Sequence, residues 1–393
     1  MSTYVSEIDT EKYITVTYYI ESDSLNQAAW DIAVGQSIGN PYIRNTWENE
    51  TLFLSHGCVI LGNEKDLKAK NKGMITIGFP VVNLNLEEDG VAHLICQLMG
   101  GHTDIKFIKK CTLLDIVFPK SVLSYFKGPR YGITGFRNLS QRFNKPLAGS
   151  IIKPKIGFNK QEYSQQVSQL IDAGIDFIKE DEIICNPTYF PLRERVEIVS
   201  KILKQSNAKT IFCHTVNGDP HRLLDNVRMV SDIGGNGVHV NVFSGLGAYN
   251  SIRQLDIPVF LHMQTSGSKL FSGHDNNYRM SWEVICKLVS IIGVDTIQVG
   301  MIGGYSNDNP ETILKCLDIL RQNNTLPALS CGLHPGMIDY LNETIGHDYL
   351  ANSGGSIHGH PSGTMAGAKA LRQAIDNEPG IEYLEAIQTW GKK

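Results

Sequence analysis

Hydrophobic and polar residues alternate singly over residues 13–20, where Ile, Val and Tyr take turns with Thr. A period of two marks a strand with one buried face. Residues 24–35 carry Ala and Ile at helical spacing and read as a helix. Stretches 75–79 and 104–117 supply further strands, with 91–99 helical between them. Strands mixed with two helices predict an α+β domain of about 140 residues. Gly128-Pro129 and Lys145-Pro146 punctuate its end, which sets a first domain at residues 1–145.

From Leu147 the pattern changes. Near-continuous apolar runs fall at 148–153, 177–179, 210–214, 237–242, 258–262, 296–300, 328–330 and 349–352. Such runs fit strands buried on both faces, as in a parallel sheet. Amphipathic helical stretches lie between them at 161–172, 192–204, 220–233, 281–292, 310–322 and 335–344. Eight strands, each followed by a helix or a long turn over roughly 230 residues, predict a (β/α)8 TIM barrel of the α/β class. It is set at residues 146–393, with a helical tail from 363. A doubly wound open sheet is the other arrangement. It is weakened by the lack of a Gly-x-Gly-x-x-Gly turn after the first strand.

Composition adds exclusions. The 393 residues are 42% hydrophobic and 19% charged, with a net charge of −4, an ordinary soluble make-up. No basic run suggests nucleic acid. No stretch approaches the roughly 20 apolar residues of a membrane span. The N-terminus is polar and acidic, unlike a signal peptide. The eight cysteines form no Cys-x-x-Cys pair, which favours free thiols in a reducing, cytoplasmic setting.

In such a barrel the chemistry sits at the carboxyl ends of the strands. Lys153 with Lys155, Lys179, Asp181, Glu182, His214, Asn241, His262, Gln298, Ser330 and Gly354-Gly355 all fall there. The densest cluster is Asp176-Phe-Ile-Lys-Glu-Asp-Glu182. Acids at a buried strand end are costly unless paired. Mg2+, which takes one or two carboxylates, would relieve that cost; a solvated acidic loop with an ordinary ion pair is the plainer alternative. Lys179 fits either as a counter-ion or as a CO2 carbamate, which turns a cation into an anionic oxygen ligand. Gly332 and Gly354-Gly355, after the last two strands, could present backbone N–H groups to a phosphate, or simply serve tight turns. The His358-Gly-His360-Pro run reads as packed and hydrogen-bonded rather than as a metal pair.

Four motifs occur together, in order: Ile152-Lys-Pro-Lys-Ile-Gly157, Asp176-Phe-Ile-Lys-Glu-Asp-Glu182, Ser330-Cys-Gly-Leu-His334 and Gly354-Gly-Ser-Ile-His-Gly-His-Pro361. They resemble the large subunit of ribulose-bisphosphate carboxylase (RuBisCO) over nearly the whole chain. The resemblance implies an N-terminal α+β domain of ferredoxin-like type, a barrel, and a homodimer whose active site lies at the subunit interface. It implies a carbamylated Lys179 that binds Mg2+ with Asp181 and Glu182. Lys153 matches the proton-abstracting lysine, and His262 a strand-five histidine in proton transfer. Lys155 belongs to the same motif as Lys153. Asp115 falls near an N-terminal-domain asparagine that touches substrate. Ser330, Gly332, Gly354 and Gly355 match one phosphate site.

The departures decide the expected function. Met263 stands where the carboxylase has an arginine for the second phosphate, and Gln298 where a histidine does the same job. The loop lysine that orients CO2 falls at about Tyr305, and its acidic partner near Gly35. Loss of a charged clamp on the carboxylation transition state costs several kcal/mol, so the pattern is similar to the RuBisCO-like proteins, form IV. What survives is proton abstraction beside a metal-bound carbonyl of a phosphorylated keto-sugar. Met263 and Gln298 then face an uncharged far end, such as a methylthio tail. Isomerisation of 5-methylthioribulose 1-phosphate fits. So does a decarboxylase or C–C hydrolase acting on a 3-oxo sugar-acid phosphate, of the 3-oxo-isoapionate 4-phosphate type. The 2,3-diketo-5-methylthiopentyl-1-phosphate enolase of methionine salvage carries a lysine base after a glycine, where this chain reads Gly100-Gly101-His102. It also lacks the Lys-Pro-Lys pattern kept here. A non-catalytic barrel is the reading from a different class.

Overall fold

The computed structural model describes residues 3–43, 45–306 and 308–393. Its strands, in chain order, are β1 (Tyr4–Val5), β2 (Tyr13–Ser22), β3 (Val59–Leu61), β4 (Lys72–Pro80), β5 (Ile108–Val117), β6 (Leu147–Ile151), β7 (Phe177–Lys179), β8 (Ile211–Thr215), β9 (Gly237–Asn241), β10 (Phe260–Gln264), β11 (Tyr278–Met280), β12 (Thr296–Gly300), β13 (Leu326–Leu329) and β14 (Leu350–Ser353). The chain divides into two compact units. One comprises the residues up to Phe126 with Gly267–Leu288, the other Lys127–Ser266 with Val289–Lys393.

The first unit holds a six-stranded sheet in the order β1-β3-β4-β2-β5-β11. The central pairings β3/β4, β4/β2 and β2/β5 are antiparallel, and the order β3-β4-β2-β5 is the ferredoxin-like one. Helices Leu25–Gly35 and Leu86–Met99 join these strands. The alternation in β2 sends Ile14, Val16, Tyr18 and Ile20 inward, because successive side chains of a strand take opposite faces. Ser24 caps the first helix, its side chain accepting from the Gln27 N–H. Several details depart from expectation, among them the short strands β1 and β3, which the sequence pattern does not predict. The strand expected from residue 104 begins at Ile108, since His102–Asp104 form a 3-10 turn. Strand β11, drawn from the segment between β10 and helix Trp282–Ile292, pairs in parallel with β5 and was not foreseen.

The second unit is a closed barrel of eight parallel strands, ordered β10-β12-β13-β14-β6-β7-β8-β9. All eight expected strands are present, with ends displaced by up to two residues. The largest consequence is at β10, expected at 258–262. Pro258 has no N–H to give a ladder, so the strand starts at Phe260 and runs on to Gln264. Helices follow the strands, Lys160–Asp172 opening with a reciprocal capping box between Asn159 and Glu162.

Period two fixes what the barrel encloses. Leu147, Phe177, Ile211, Cys213, Phe260, Leu326, Ala328 and Leu350 share one core with Phe136 of helix Gly132–Ser140. Most of these begin their strands, so they plug the amino end. Phe136 sits edge-on to Phe260, ring centroids 5.2 Å apart. Positions two or four residues further along point inward nearer the carboxyl end. There the lining turns polar: Lys179, Thr215, His239, Asn241, His262, Gln264, Gln298, Ser330 and Asn352, all buried. No helix among the described residues is long and apolar enough to cross a membrane.

Candidate active site

Strand β7 ends in the side chains on which the site is built. Lys179 is fully buried, and its register partners are Ile151 of β6 and Cys213 of β8. Its ammonium lies 3.6 Å from Glu182 Oε2 and donates to the Glu180 carbonyl at 3.1 Å. Burial lowers the Lys179 pKa, against the opposing pull of Glu182 and Asp181. Burial alone would raise the Glu182 carboxyl. The Lys179 charge and hydrogen bonds from Ser266 and Gln264 outweigh it and bring the pKa to about 2. Asp181, 3% exposed, accepts from Lys153 Nζ at 2.7 Å. Lys153, Lys179, Asp181 and Glu182 thus meet at one mouth.

The even-numbered neighbour Glu180 points the other way, into the helical layer. Arg195 of helix Leu192–Ser206 donates to it at 2.7 Å, Tyr163 at 2.6 Å and the Thr215 N–H at 2.8 Å. Burial works against the Glu180 charge, but Arg195 and His214 hold its carboxyl well below the usual range. A buried pair this well bonded fixes the strand end that carries Lys179 and Asp181.

Other expected residues fall into place unevenly. Gly354 lies close against Lys153: a Cβ there would stand 3.2 Å from Lys153 Cε. Gly355 follows, exposed, with open space where a Cβ would project. Gly332 has φ +98°, and its missing Cβ leaves room for the Tyr305 backbone N, which would be 3.0 Å away. That N–H donates to the Cys331 carbonyl at 3.1 Å, while the Tyr305 side chain is exposed. Ser330 Oγ accepts a short bond from the Gln298 amide, and Gln298 Oε1 has no partner among the described residues. Lys155 is exposed in the bend beyond Lys153. His358 and His360 are packed as expected. His358 Nε2 lies 3.0 Å from the Ile151 carbonyl and His360 Nε2 2.9 Å from that of Glu382.

Two expectations shift with the register of β10. His262 is fully buried below the mouth, its ring tilted against that of Phe177 with centroids 5.4 Å apart, and its ring nitrogens make no hydrogen bond of normal geometry. Burial, with Lys179 nearby, lowers its pKa well below the ordinary imidazole value. Met263 is not brought to the site. It occupies the opposite face of the strand from Phe260, His262 and Gln264 and is fully buried. The strand-end residue is Gln264, whose amide donates to Glu182 Oε2 at 2.7 Å. Ser266 donates to Glu182 Oε1 at 2.6 Å, and Asn217 to the Glu182 carbonyl at 3.0 Å. None of these three was expected; counting in twos from Phe260 would have reached Gln264.

In the first unit, Asp115 is half-exposed and paired with Lys287 at 2.9 Å. His102 is fully buried beside the Tyr18 ring, and burial takes its pKa down to about 4.

No three His, Cys, Asp or Glu side chains converge at metal-ligand spacing among the described residues. A cation here would need Lys179 as its third ligand. The donor set fits Mg2+ on that condition: two carboxylates supply hard oxygen ligands, and a buried lysine of lowered pKa is an amine able to take up CO2.

The catalytic-domain model of the ribulose bisphosphate carboxylase large chain matches residues 132–385. The chain belongs to the RuBisCO large-chain family. The ribulose bisphosphate carboxylase of Pyrococcus furiosus is 29% identical over 407 residues, covering 96% of this chain and 94% of that one. The 2,3-diketo-5-methylthiopentyl-1-phosphate enolase of Bacillus pumilus is 29% identical over 383 residues, covering 94% and 92%. Among solved structures, a rubisco-like protein from Alicyclobacillus acidocaldarius superposes with a TM-score of 0.84 at 25% identity, covering 98% of this chain and 100% of that one. RuBisCO relatives at equal similarity therefore include both a carboxylase and an enolase.

Proposed function

We propose that this chain is a Mg2+-dependent RuBisCO-like enzyme that removes the proton beside the carbonyl of a phosphorylated keto-sugar, and that it does not fix CO2. One observation carries the reading: Lys179, Asp181 and Glu182 meet at the barrel mouth with the Lys153 amine 2.7 Å from Asp181. Mg2+ held by a carbamate on Lys179 with Asp181 and Glu182 would polarise the substrate carbonyl. Lys153, as the free amine, takes the adjacent proton. Asp181 fixes where that amine stands. Gly332, Gly354 and Gly355, with Ser330, receive the phosphate end.

Against CO2 fixation stand Gln298, joined to Ser330, and Tyr305, at the place of the CO2-orienting lysine. The far end of the substrate now falls to Gln298 and Gln264 rather than to Met263. The Bacillus pumilus relative favours the methionine-salvage enolase as a second reading. His102 speaks against it, being fully buried at the place of that enzyme's lysine. Isomerisation of 5-methylthioribulose 1-phosphate, or decarboxylation or C–C cleavage of a 3-oxo sugar-acid phosphate, places fewer demands on the first unit. We read the working form as a cytoplasmic homodimer, in keeping with cysteines that form no disulfide among the described residues. In it Asp115 of the partner subunit completes the site.

The test is a screen of phosphorylated ketoses for solvent deuterium uptake in the presence of bicarbonate, with and without Mg2+. Uptake that requires Mg2+ supports the proposal. No uptake from any candidate, with the protein folded, favours a non-catalytic barrel.

A further inference from the structure

The two oxygens of Glu182 are not equivalent. Oε2 faces Lys179 at 3.6 Å and also receives the Gln264 amide at 2.7 Å. Oε1 is turned to Ser266, whose hydroxyl donates at 2.6 Å. Ser266 is itself held. Its N–H donates to Gln264 Oε1 at 3.1 Å, and its carbonyl accepts from Asn241 Nδ2 at 3.0 Å. Asn217 ties the Glu182 carbonyl, and its own Oδ1 accepts from the Asn241 N–H at 2.8 Å. Residues after β8, at the end of β9 and at the end of β10 thus hold one carboxylate in one orientation.

We propose that Ser266, with Gln264, is a positioning residue that presents a single oxygen of Glu182 to a cation, and so makes the site select Mg2+ over Ca2+. This deepens the metal reading above and rests on it. The physical basis is coordination number. Ca2+ takes six to eight oxygens and commonly uses both oxygens of a carboxylate, whereas Mg2+ takes six at shorter distance and needs one. Turning Glu182 to offer both oxygens would break the Ser266 bond. A hydrogen bond to a charged group contributes about 1.5–3 kcal/mol, so the discrimination is about 10–100-fold in relative affinity.

The experiment measures Mg2+ and Ca2+ binding by calorimetry on bicarbonate-treated full-length protein, without substrate. Ser266 is exposed, so Ser266→Ala leaves the core intact. The expected result is a ratio of Ca2+ to Mg2+ affinity raised at least tenfold in Ser266→Ala, and returned by Ser266→Thr, which keeps the hydroxyl. An unchanged ratio overturns the proposal, as does a parallel fall of both affinities or a failure of threonine to restore the ratio. If the wild-type protein binds neither cation, the metal reading falls first and the proposal with it. The wild-type titration therefore separates the two failures.

Discussion

Replacing Lys153 by arginine keeps a cation at the barrel mouth but removes a group that can give up its proton, since guanidinium stays charged at any working pH. Lys153 donates to Asp181 at 2.7 Å, with the lysine side chain 29% exposed and the aspartate 3%. Lys153→Met would strip the donor from a buried carboxylate, at a cost of about 1–3 kcal/mol in stability. Lys153→Arg can keep that bond, so its urea midpoint should stay near the wild-type value while the methionine variant falls. If Lys153 is the base, both variants lose the same catalytic function. Loss of a general base lowers rate about 10²–10⁴-fold, or about 2.7–5.4 kcal/mol in barrier. The assay is deuterium wash-in on whichever phosphorylated ketose the screen returns, with Mg2+ and bicarbonate present. Arginine retaining stability and losing exchange is the expected pair of results. Exchange by Lys153→Arg within about threefold of wild type would refute the assignment. His262→Asn is the companion control, and because His262 lies below the mouth it should cost less. If His262→Asn alone abolishes exchange, the roles are reversed.

Three further outcomes follow from the same geometry. The protein should incorporate no labelled bicarbonate into ribulose 1,5-bisphosphate above background, because Gln298 and Tyr305 replace charged groups; dependent fixation would sink the RuBisCO-like reading. Arg195→Leu leaves Glu180 charged and fully buried, and should lower the unfolding free energy from urea titration by about 3–5 kcal/mol; a loss of under about 1 kcal/mol would show Glu180 protonated or resolvated. The folded Glu182 carboxyl titrates at about 2 rather than 4.5. Its contribution is therefore present above 4.5 and lost as pH falls toward 2. Stability curves of wild type and Glu182→Gln should converge across that window, and parallel curves would contradict the shift.

The barrel was legible because its strands are buried on both faces, which leaves eight apolar runs in sequence. The candidate cluster was legible because Lys179, Asp181 and Glu182 are neighbours in the chain. What escaped has a common cause in register and long-range pairing. Apolar runs do not reveal which residue faces in: the run at 258–262 predicts β10 two residues early, and the match of Met263 to an arginine of the family sets that residue at the mouth in place of Gln264. The Glu180–Arg195 pair joins a strand to a helix, and neither residue carries a local sign of the other. Strand β11 has three residues of intermediate burial, too short for any period to show.

That short strand has a consequence for synthesis. The sheet of the first unit is complete only when Tyr278–Met280 pairs with β5, and β5 ends at Val117. A ribosome adding about 5–20 residues each second leaves that edge open for about 8–30 s after β5 has emerged. An open edge is a template for pairing with another chain. Nascent chains are thus prone to misassociate through this edge during the interval, and a fragment ending at Phe126 would never leave it.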